Sequence, residues 1–295
     1  MESNISVSVI IPAFNAAAYI AETITSIQQQ SFSDWEVIIV NDGSTDNTAD
    51  IIKPFLNEKI NLIHQTNQGV SIARNNGLTQ AHGKYVVFLD ADDVLSLDFL
   101  KNRFEFLEAN PDSGFCCGDV LHFTNNIHHI NKYSIGKFEN IPIKILLYEK
   151  GFDSVPSNYM HRKEVLIKNN IRFNPLLSST ADRMFLLELN KYTIGGYVPN
   201  APLYYRQHSD SMSNNFTITL IKDNVLYYHL VEEKKLIPDE IREQALFLKY
   251  YIIATSYFKI KHINAISWYF IGFIKYPAPF FKKIFQAIKL HYSRN

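Results

Sequence analysis

The sequence predicts an α/β protein built on a mainly parallel sheet, and three features of its first half indicate this fold class. Short β-branched runs recur at a steady spacing. Stretches with apolar residues at helical spacing separate these runs, as in βαβ units. The runs are apolar throughout instead of alternating, which is typical of parallel strands that helices cover on both faces.

The elements of the first half follow in order from these patterns. A β-branched run that Pro12 stops opens the chain, and Ile20, Ile24 and Ile27 then recur at helical spacing. A polar turn after the second run supplies N-cap candidates for a short helix. The predicted strands are 7–11, 35–40, 60–64 and 85–89, and the predicted helices are 20–27, 49–55, 69–81 and 97–110.

The pattern changes twice in the second half of the chain. From Phe115 onwards, shorter strands and polar turns replace the regular alternation, before a predicted helix over 181–190 and a strand-like tract over 197–206. Beyond about residue 215 the sequence is mostly helical in pattern and rich in aromatic residues. We therefore predict one α/β domain over 1–215 and a helical C-terminal region over 216–295.

Charge and composition exclude some classes of partner. The 29 basic and 29 acidic residues give a formal net charge of zero, which argues against a protein whose whole surface binds nucleic acid. The N-terminus lacks the basic and apolar regions of a signal peptide, and no uncharged apolar stretch reaches the roughly 20 residues of a spanning helix. The two cysteines are adjacent and poorly placed for a disulfide. We therefore expect a cytoplasmic protein.

Polar residues follow the predicted strands, where open α/β sheets bind their ligands. After the fourth strand, Asp90, Asp92 and Asp93 place three acids within four residues. Such acids repel one another unless a cation or a solvated loop relieves the repulsion. One interpretation is Mg²⁺ or Mn²⁺ held together with the phosphates of a nucleoside diphosphate. The alternative is an acidic cluster that caps the following helix.

Four segments occur in register with the predicted strands: VIIPAFN at 9–15, VNDGSTD at 40–46, GVSIARN at 69–75 and FLDADD at 88–93. Together they resemble the inverting family 2 glycosyltransferases with the GT-A fold, over roughly residues 5–215. The resemblance implies a Rossmann-like sheet flanked by helices. It also implies a nucleotide-binding half over 1–115, an acceptor-binding half over 116–215 and a transferase of the hexosyltransferase type.

The resemblance further implies which residues hold the nucleotide. Asp42 matches an acid that accepts a hydrogen bond from a uracil ring, and Arg74 matches an arginine that reaches the nucleotide. For Arg74 the alternative is an exposed helix arginine. The set expected at the nucleotide is Pro12, Ala13, Asn15, Asp42, Gly69, Arg74, Asp90, Ala91 and Arg206.

A divalent ion, Mn²⁺ or Mg²⁺, is implied by the match of 90–92 to the Asp-X-Asp motif of the family. Asp92 matches the metal ligand, and Asp93 is expected to assist it in the same loop. His208 lies in a segment where some relatives complete the metal shell, so it is a candidate ligand or phosphate contact. The alternative for His208 is a surface-loop residue.

An inverting transfer needs one base opposite the leaving nucleotide, and Asp182 matches that base. The family usually has a Glu-Asp pair here, whereas this chain has Ala181 before Asp182. The alternative is an N-terminal helix aspartate that the helix dipole favours.

The expected reaction is transfer of a sugar from a nucleoside diphosphate, UDP before dTDP or GDP, to a glycan or lipid-linked acceptor. Lipopolysaccharide, capsule or exopolysaccharide synthesis is the expected setting. A nicotinamide dehydrogenase is disfavoured because the first βα turn has no glycine. An aspartyl phosphatase is disfavoured because its acid pair follows the first strand. A non-catalytic nucleotide-sugar-binding relative stays open because of Ala181.

The C-terminal region differs in charge from the rest of the chain. After Glu243 it contains eight basic residues and no acidic ones, together with many aromatics. Phe281, Phe285, Ile288 and Tyr292 share one helical face. This pattern is typical of an interfacial helix on an anionic membrane, which would place the protein at the inner face of the cytoplasmic membrane. The alternative is a helical subdomain with a solvated lysine face.

Overall fold

The computed structural model describes residues 5–136, 139–147, 149, 154–208 and 217–279. The chain divides into two compact units. The first comprises Met1–Ile141 and Lys150–Ser209, and the second comprises Pro142–Glu149 and Asp210–Asn295. The predicted face of 281–292 lies outside the described residues.

The first unit is built on two sheets. Its strands are β1 (Val7–Ala13), β2 (Trp35–Asp42), β3 (Ile60–Gln65), β4 (Tyr85–Phe88), β5 (Val94–Leu95), β6 (Ser113–Cys117), β7 (Val120–Phe123), β8 (Ile130–Ser134), β9 (Tyr159–Arg162), β10 (Ile194–Tyr197) and β11 (Leu203–Arg206). The larger sheet has the order β10-β6-β9-β4-β1-β2-β3, and the smaller has the order β5-β11-β7-β8. In the larger sheet only β9 runs antiparallel to its neighbours. The predicted mainly parallel α/β sheet is therefore confirmed.

Helices cover both faces of the larger sheet. They are α1 (Ile20–Gln28), α2 (Thr48–Ile52), α3 (Val70–Gln80), α4 (Phe99–Ala109), α6 (Lys163–Lys168) and α7 (Ala181–Leu189), whereas α5 (Ile141–Leu146) belongs almost wholly to the second unit. Val9 and Ile11 of β1 share a buried cluster with Ile24 of α1. Ile10 points to the other face, where it meets Gly77 of α3. Since β1 and β2 are buried along their whole length, their continuous apolar sequence is explained.

The strand-like tract predicted over 197–206 begins at the last residue of β10 and ends with β11, and these two strands belong to different sheets. The break contains Asn200, with a φ of 62°, and Pro202. An asparagine in the left-handed region and a proline that lacks a backbone N–H both interrupt a strand. The chain can therefore leave one sheet and enter the other.

The second unit is helical, with α8 (Ile218–Glu233), α9 (Arg242–Lys259) and α10 (Asn264–Lys275). Helix α10 packs along α9 through aromatic pairs, including Tyr250 with Trp268 at a centroid distance of 5.6 Å. Among the helices described, none combines the length and the apolarity that crossing a bilayer needs.

The contact between α3 and β1 gives a first prediction. A Cβ added to Gly77 would lie 2.3 Å from Ile10 Cγ2, and Ile10 is fully buried. We expect Gly77→Ala to lower the free energy of unfolding by about 1–3 kcal/mol, because overpacking displaces the helix or the strand. Gln80→Ala, at an exposed position of the same helix, is the control. Chemical denaturation measures both, and equal stability of the two variants would contradict the close packing.

Candidate functional site

Strands β1, β2 and β4 are parallel, so their carboxyl ends meet at one edge of the larger sheet. Pro12 and Ala13 end β1 there as buried residues. Asn15, with a φ of 49°, begins the next loop, and its Oδ1 accepts a hydrogen bond of 2.8 Å from Thr45 N. Asn15 N donates to Ser44 Oγ at 3.0 Å. Hydrogen bonds therefore join the loops after β1 and β2 beside the sheet edge.

Asp42 ends β2 and holds the loop that leads into α3. Its Oδ1 accepts hydrogen bonds of 2.8 Å from Gln65 Nε2 and from Gln68 N, and its Oδ2 accepts one of 2.8 Å from Gly69 N. A carboxylate offers about four acceptor positions, and these three bonds take most of them. Gly69 has a φ of 90°, a conformation that favours glycine. Asp42 therefore holds the predicted nucleotide loop in place through these hydrogen bonds.

Arg74 of α3 bridges two of the predicted site acids. Its Nη1 donates to Asp182 Oδ1 at 2.7 Å, and its Nη2 donates to Asp90 Oδ1 at 2.6 Å. The arginine side chain is 4% exposed, and its guanidinium lies 4.8 Å from the ring centroid of Phe173. Arg74 is therefore a buried link between the loop after β4 and helix α7, rather than the exposed arginine of the alternative interpretation.

Asp182 lies in the first turn of α7, and its side chain keeps 24% exposure. Burial raises the pKa of Asp182 to about 6, although the Arg74 guanidinium acts in the opposite direction. A carboxyl with a pKa near neutral is well suited to take a proton at physiological pH. Ala181, which departs from the expected Glu-Asp pair, is fully buried, and a glutamate there would be costly.

An aromatic cluster supports this part of the site. Phe173 and Phe185 stack with a centroid distance of 4.3 Å, and Phe88 of β4 lies edge-on against Phe173 at 4.9 Å. Together with His161, the two stacked rings line a small cavity beside Asp182. Burial lowers the pKa of His161 to about 3, so this histidine is neutral at physiological pH. The surroundings that raise the pKa of Asp182 are thus largely apolar.

The loop after β4 and the residues after β11 bring Asp92 and His208 together. Asp92 Oδ2 and His208 Nε2 lie 2.8 Å apart, and the His208 ring lies 5.0 Å from that of Tyr19. Burial and the Asp90 carboxylate raise the pKa of Asp92. Asp93 is fully buried, and its Oδ1 accepts a hydrogen bond of 3.1 Å from Arg206 N. Asp93 therefore faces the backbone of β11.

Arg206 fixes the same loop. Its Nε donates to the Asp92 carbonyl at 2.8 Å, and its Nη2 pairs with Glu22 of α1. The guanidinium lies between the rings of Tyr19 and Phe123, at 4.8 and 4.5 Å from their centroids. Arg206 is 4% exposed, so its observed contacts are with the protein interior.

Asp92 and His208 have the chemistry of a divalent-metal site. Within the described residues, no three His, Cys, Asp or Glu side chains form a metal-binding group. Divalent ions at phosphate-transfer sites often take only one or two protein ligands, with substrate phosphates and water completing the shell. A carboxylate oxygen and an imidazole nitrogen suit Mn²⁺, whereas Mg²⁺ prefers oxygen. The pair therefore fits a metal that arrives with a diphosphate.

No sequence pattern indicated three of the residues that lie at the site. Glu22 is an ordinary acid in the first turn of α1, and Tyr19 precedes that helix. Ser157 is fully buried and accepts a hydrogen bond of 3.0 Å from Asp90 N. Their roles depend on contacts with residues far along the chain, which local spacing does not reveal.

Comparison with known proteins identifies the family of this arrangement. The model of "Glycosyl transferase family 2" matches residues 8–169, more than half of the chain. The chain belongs to glycosyl transferase family 2. The resemblance indicated by the four sequence segments is therefore confirmed.

Individual relatives agree with this family. The chain is 44% identical over 104 residues to the putative teichuronic acid biosynthesis glycosyltransferase TuaG of Bacillus subtilis. That alignment covers 34% of this chain and 41% of TuaG, so the chain matches less than half of that protein.

Two solved structures share the fold of this family 2 chain. S. aureus TarS 1-349 in complex with UDP-GlcNAc aligns with a TM-score of 0.65 and 22% identity, covering 87% of this chain and 76% of that one. The mannosyltransferase PcManGT from Pyrobaculum calidifontis, in complex with GDP-Man and Mn²⁺, aligns with a TM-score of 0.61 and 17% identity. This alignment covers 97% of this chain and 80% of the PcManGT chain. The predicted GT-A fold is confirmed by these likenesses.

Proposed function

We propose that this family 2 chain transfers a sugar from a nucleoside diphosphate donor to an acceptor hydroxyl with inversion. The observation that carries the proposal is the bridge from Asp182 through Arg74 to Asp90, which holds a candidate base beside the nucleotide loop at the sheet edge. UDP is the proposed nucleotide, and the TarS complex with UDP-GlcNAc supports this choice.

In the proposed reaction the acceptor oxygen attacks the anomeric carbon, and the bond from that carbon to the diphosphate oxygen breaks. The acceptor proton passes to Asp182 through Oδ2, because Oδ1 already accepts the bond from Arg74. The nucleoside diphosphate leaves with the bonding electron pair. A divalent ion at Asp92 and His208 would stabilise the negative charge of the leaving diphosphate. The remaining acceptor position of Asp42 binds the nucleobase.

A role in cell-surface glycan synthesis is the proposed setting. The likeness to TuaG, a putative teichuronic acid biosynthesis glycosyltransferase, supports a surface polysaccharide as product. The eight basic residues that follow Glu243, with no acid among them, support a lipid-linked acceptor at an anionic membrane. We therefore propose a cytoplasmic enzyme that works peripherally at the inner face of the membrane.

Nucleotide binding is tested by thermal unfolding with and without Mn²⁺. A ligand at about 100 times its Kd adds about 2.7 kcal/mol to the free energy of unfolding, so we expect Tm to rise by roughly 5 °C or more. UDP-sugars should produce this shift only when Mn²⁺ is present, and a chelator should remove it. Asp92→Ala should lose the shift, because the ion loses its carboxylate.

Asp112→Ala, which removes an exposed acid of the same unit, is the matched control and should keep the full shift. GDP- and dTDP-sugars form the comparison series for nucleotide choice. Equal stabilisation of wild type and Asp92→Ala would show that Asp92 is not a metal ligand. Indifference of the wild type to every nucleotide sugar would overturn the proposed function itself.

A further inference from the structure

Helix α10 presents an apolar surface to solvent. Its outward residues, which we call the α10 face, are Ile263, Ile266, Phe270, Ile271 and Ile274. Their exposed fractions are 73%, 67%, 63%, 40% and 60%. Phe258, at the end of α9, adds a further ring that is 71% exposed. Exposed apolar residues scattered singly are ordinary, but a contiguous set on one helix marks an interaction surface.

Packing against α9 fixes which side of α10 points outward. Ala265 and Gly272 are the buried residues of α10. A Cβ added to Gly272 would lie 2.7 Å from Tyr250 Cβ, so the two helices are in close contact there. Tyr269 lies edge-on to Tyr251 with a centroid distance of 6.0 Å. At 3.6 residues per turn, the α10 face lies opposite these contacts, with Ser267 near its centre.

The charged residues of α10 and of the turn before it are all lysines. Lys259 ends α9, Lys261 lies in the turn that follows, and Lys275 ends α10; all three lysines are exposed. The Nζ of Lys275 lies 3.4 Å from the Tyr250 hydroxyl, at the border between the α10 face and α9. No acidic residue follows Glu243 in the chain. Lysines therefore border the apolar stripe at both ends, and Glu232 of α8 and Glu243 of α9 lie near Tyr276 at its C-terminal end.

We propose that the α10 face docks on an anionic lipid bilayer, with the helix lying in the plane of the interface. An apolar stripe inserts among acyl chains, and the bordering lysines bind lipid phosphates and carboxylates. The inference rests on the proposed membrane localisation and deepens it, because it assigns a docking role to α10 in addition to the 281–292 segment that the sequence indicates. A second copy of the chain fits this surface less well, since the lysines of two such faces would repel each other.

Flotation of the full chain with lipid vesicles tests the inference. We expect binding to vesicles of phosphatidylcholine with about one third phosphatidylglycerol, and much weaker binding to phosphatidylcholine alone. Ile266→Glu/Phe270→Glu should lower partitioning by about tenfold or more, because two charges enter the apolar stripe. Lys261→Gln and Lys275→Gln should each lower binding about fivefold, at low salt only.

A gain of binding separates docking from damage to the fold. Ser267→Leu completes the apolar stripe and should raise partitioning severalfold. Gln244→Leu, at an exposed position of α9 outside the α10 face, is its matched control and should leave partitioning unchanged. Equal partitioning of wild type, Ser267→Leu and the double glutamate variant would overturn the proposal.

Two further readouts make the outcome unambiguous. Sedimentation equilibrium without lipid should give a monomer at micromolar concentration, and a dimer that Phe270→Glu dissociates would assign the α10 face to a second copy instead. The Tm shift with UDP-sugar and Mn²⁺ should be the same in all α10 variants, because the nucleotide residues belong to the other unit. Loss of vesicle binding with an intact Tm shift therefore tests docking alone.

Discussion

Asp182→Asn should abolish most sugar transfer while leaving nucleotide-sugar binding intact. Asparagine keeps an oxygen that accepts the bond from Arg74, which spans 2.7 Å in the native chain, but it cannot take the acceptor proton. Removing a general base costs about 10²–10⁴-fold in rate. We expect kcat to fall by this factor. The measurement is release of free nucleoside diphosphate coupled to formation of the glycosylated acceptor.

Two comparisons make this test specific. Glu188→Gln alters a carboxylate further along α7 and should retain activity, which excludes a general effect of charge on that helix. The Tm shift with UDP-sugar and Mn²⁺ should be equal in wild type and Asp182→Asn. If Asp182→Asn transferred sugar within about threefold of the wild-type rate, Asp182 would not be the base. A wild type that binds donors and transfers none of them would support the non-catalytic alternative.

The positions of the site loops were predictable from sequence, because strands and the residues that follow them are local patterns. Parallel strands ending in Ala13, Asp42 and the 90–93 loop must bring those residues to one edge, and the structure agrees. The resemblance to one family added the role expected of Asp182, in the helix that the pattern over 181–190 predicts. The fold and the candidate acids of the site therefore follow from spacing and resemblance.

The partners of the two site arginines were not predictable in this way. Arg74 pairs with Asp182, which is 108 positions away, and Arg206 pairs with Glu22, which is 184 positions away. Both arginines were expected to reach the nucleotide, yet each is 3–4% exposed and bound to the protein itself. A buried guanidinium needs hydrogen-bond acceptors, and only the folded chain shows which acceptors it contacts.

Arg74→Met should have a second large effect, this time on both stability and pH dependence. Methionine fills much of the same space beside Phe173, but it leaves Asp90 and Asp182 without their shared cation. Breaking a buried ion pair from one side costs about 3–5 kcal/mol. The side chains of Asp90 and Asp182 keep 27% and 24% exposure, so we expect the low end of this range. The free energy of unfolding should fall by roughly 3 kcal/mol at pH 8, as measured by chemical denaturation.

The pH dependence has a definite sign. Burial raises the pKa of Asp182 above its unfolded value, so the folded state binds the proton more tightly than the unfolded state. Arg74 opposes that shift, and its removal moves the pKa of Asp182 further upward. The stability lost in Arg74→Met should therefore be largest above the folded pKa and should shrink as the pH falls towards the unfolded value. Lowering the pH should partly rescue this variant.

The same substitution should move the activity profile. Asp182 acts as a base only when ionised, so wild-type kcat/KM should fall as the pH drops below about 6. In Arg74→Met this acid limb of the pH profile, the fall of kcat/KM at low pH, should move to higher pH. Arg172→Met removes an arginine that donates to the Ile171 carbonyl at 2.8 Å, and it should leave the limb in place. An unchanged limb in Arg74→Met would mean that Arg74 supports the fold without setting the proton affinity of the base.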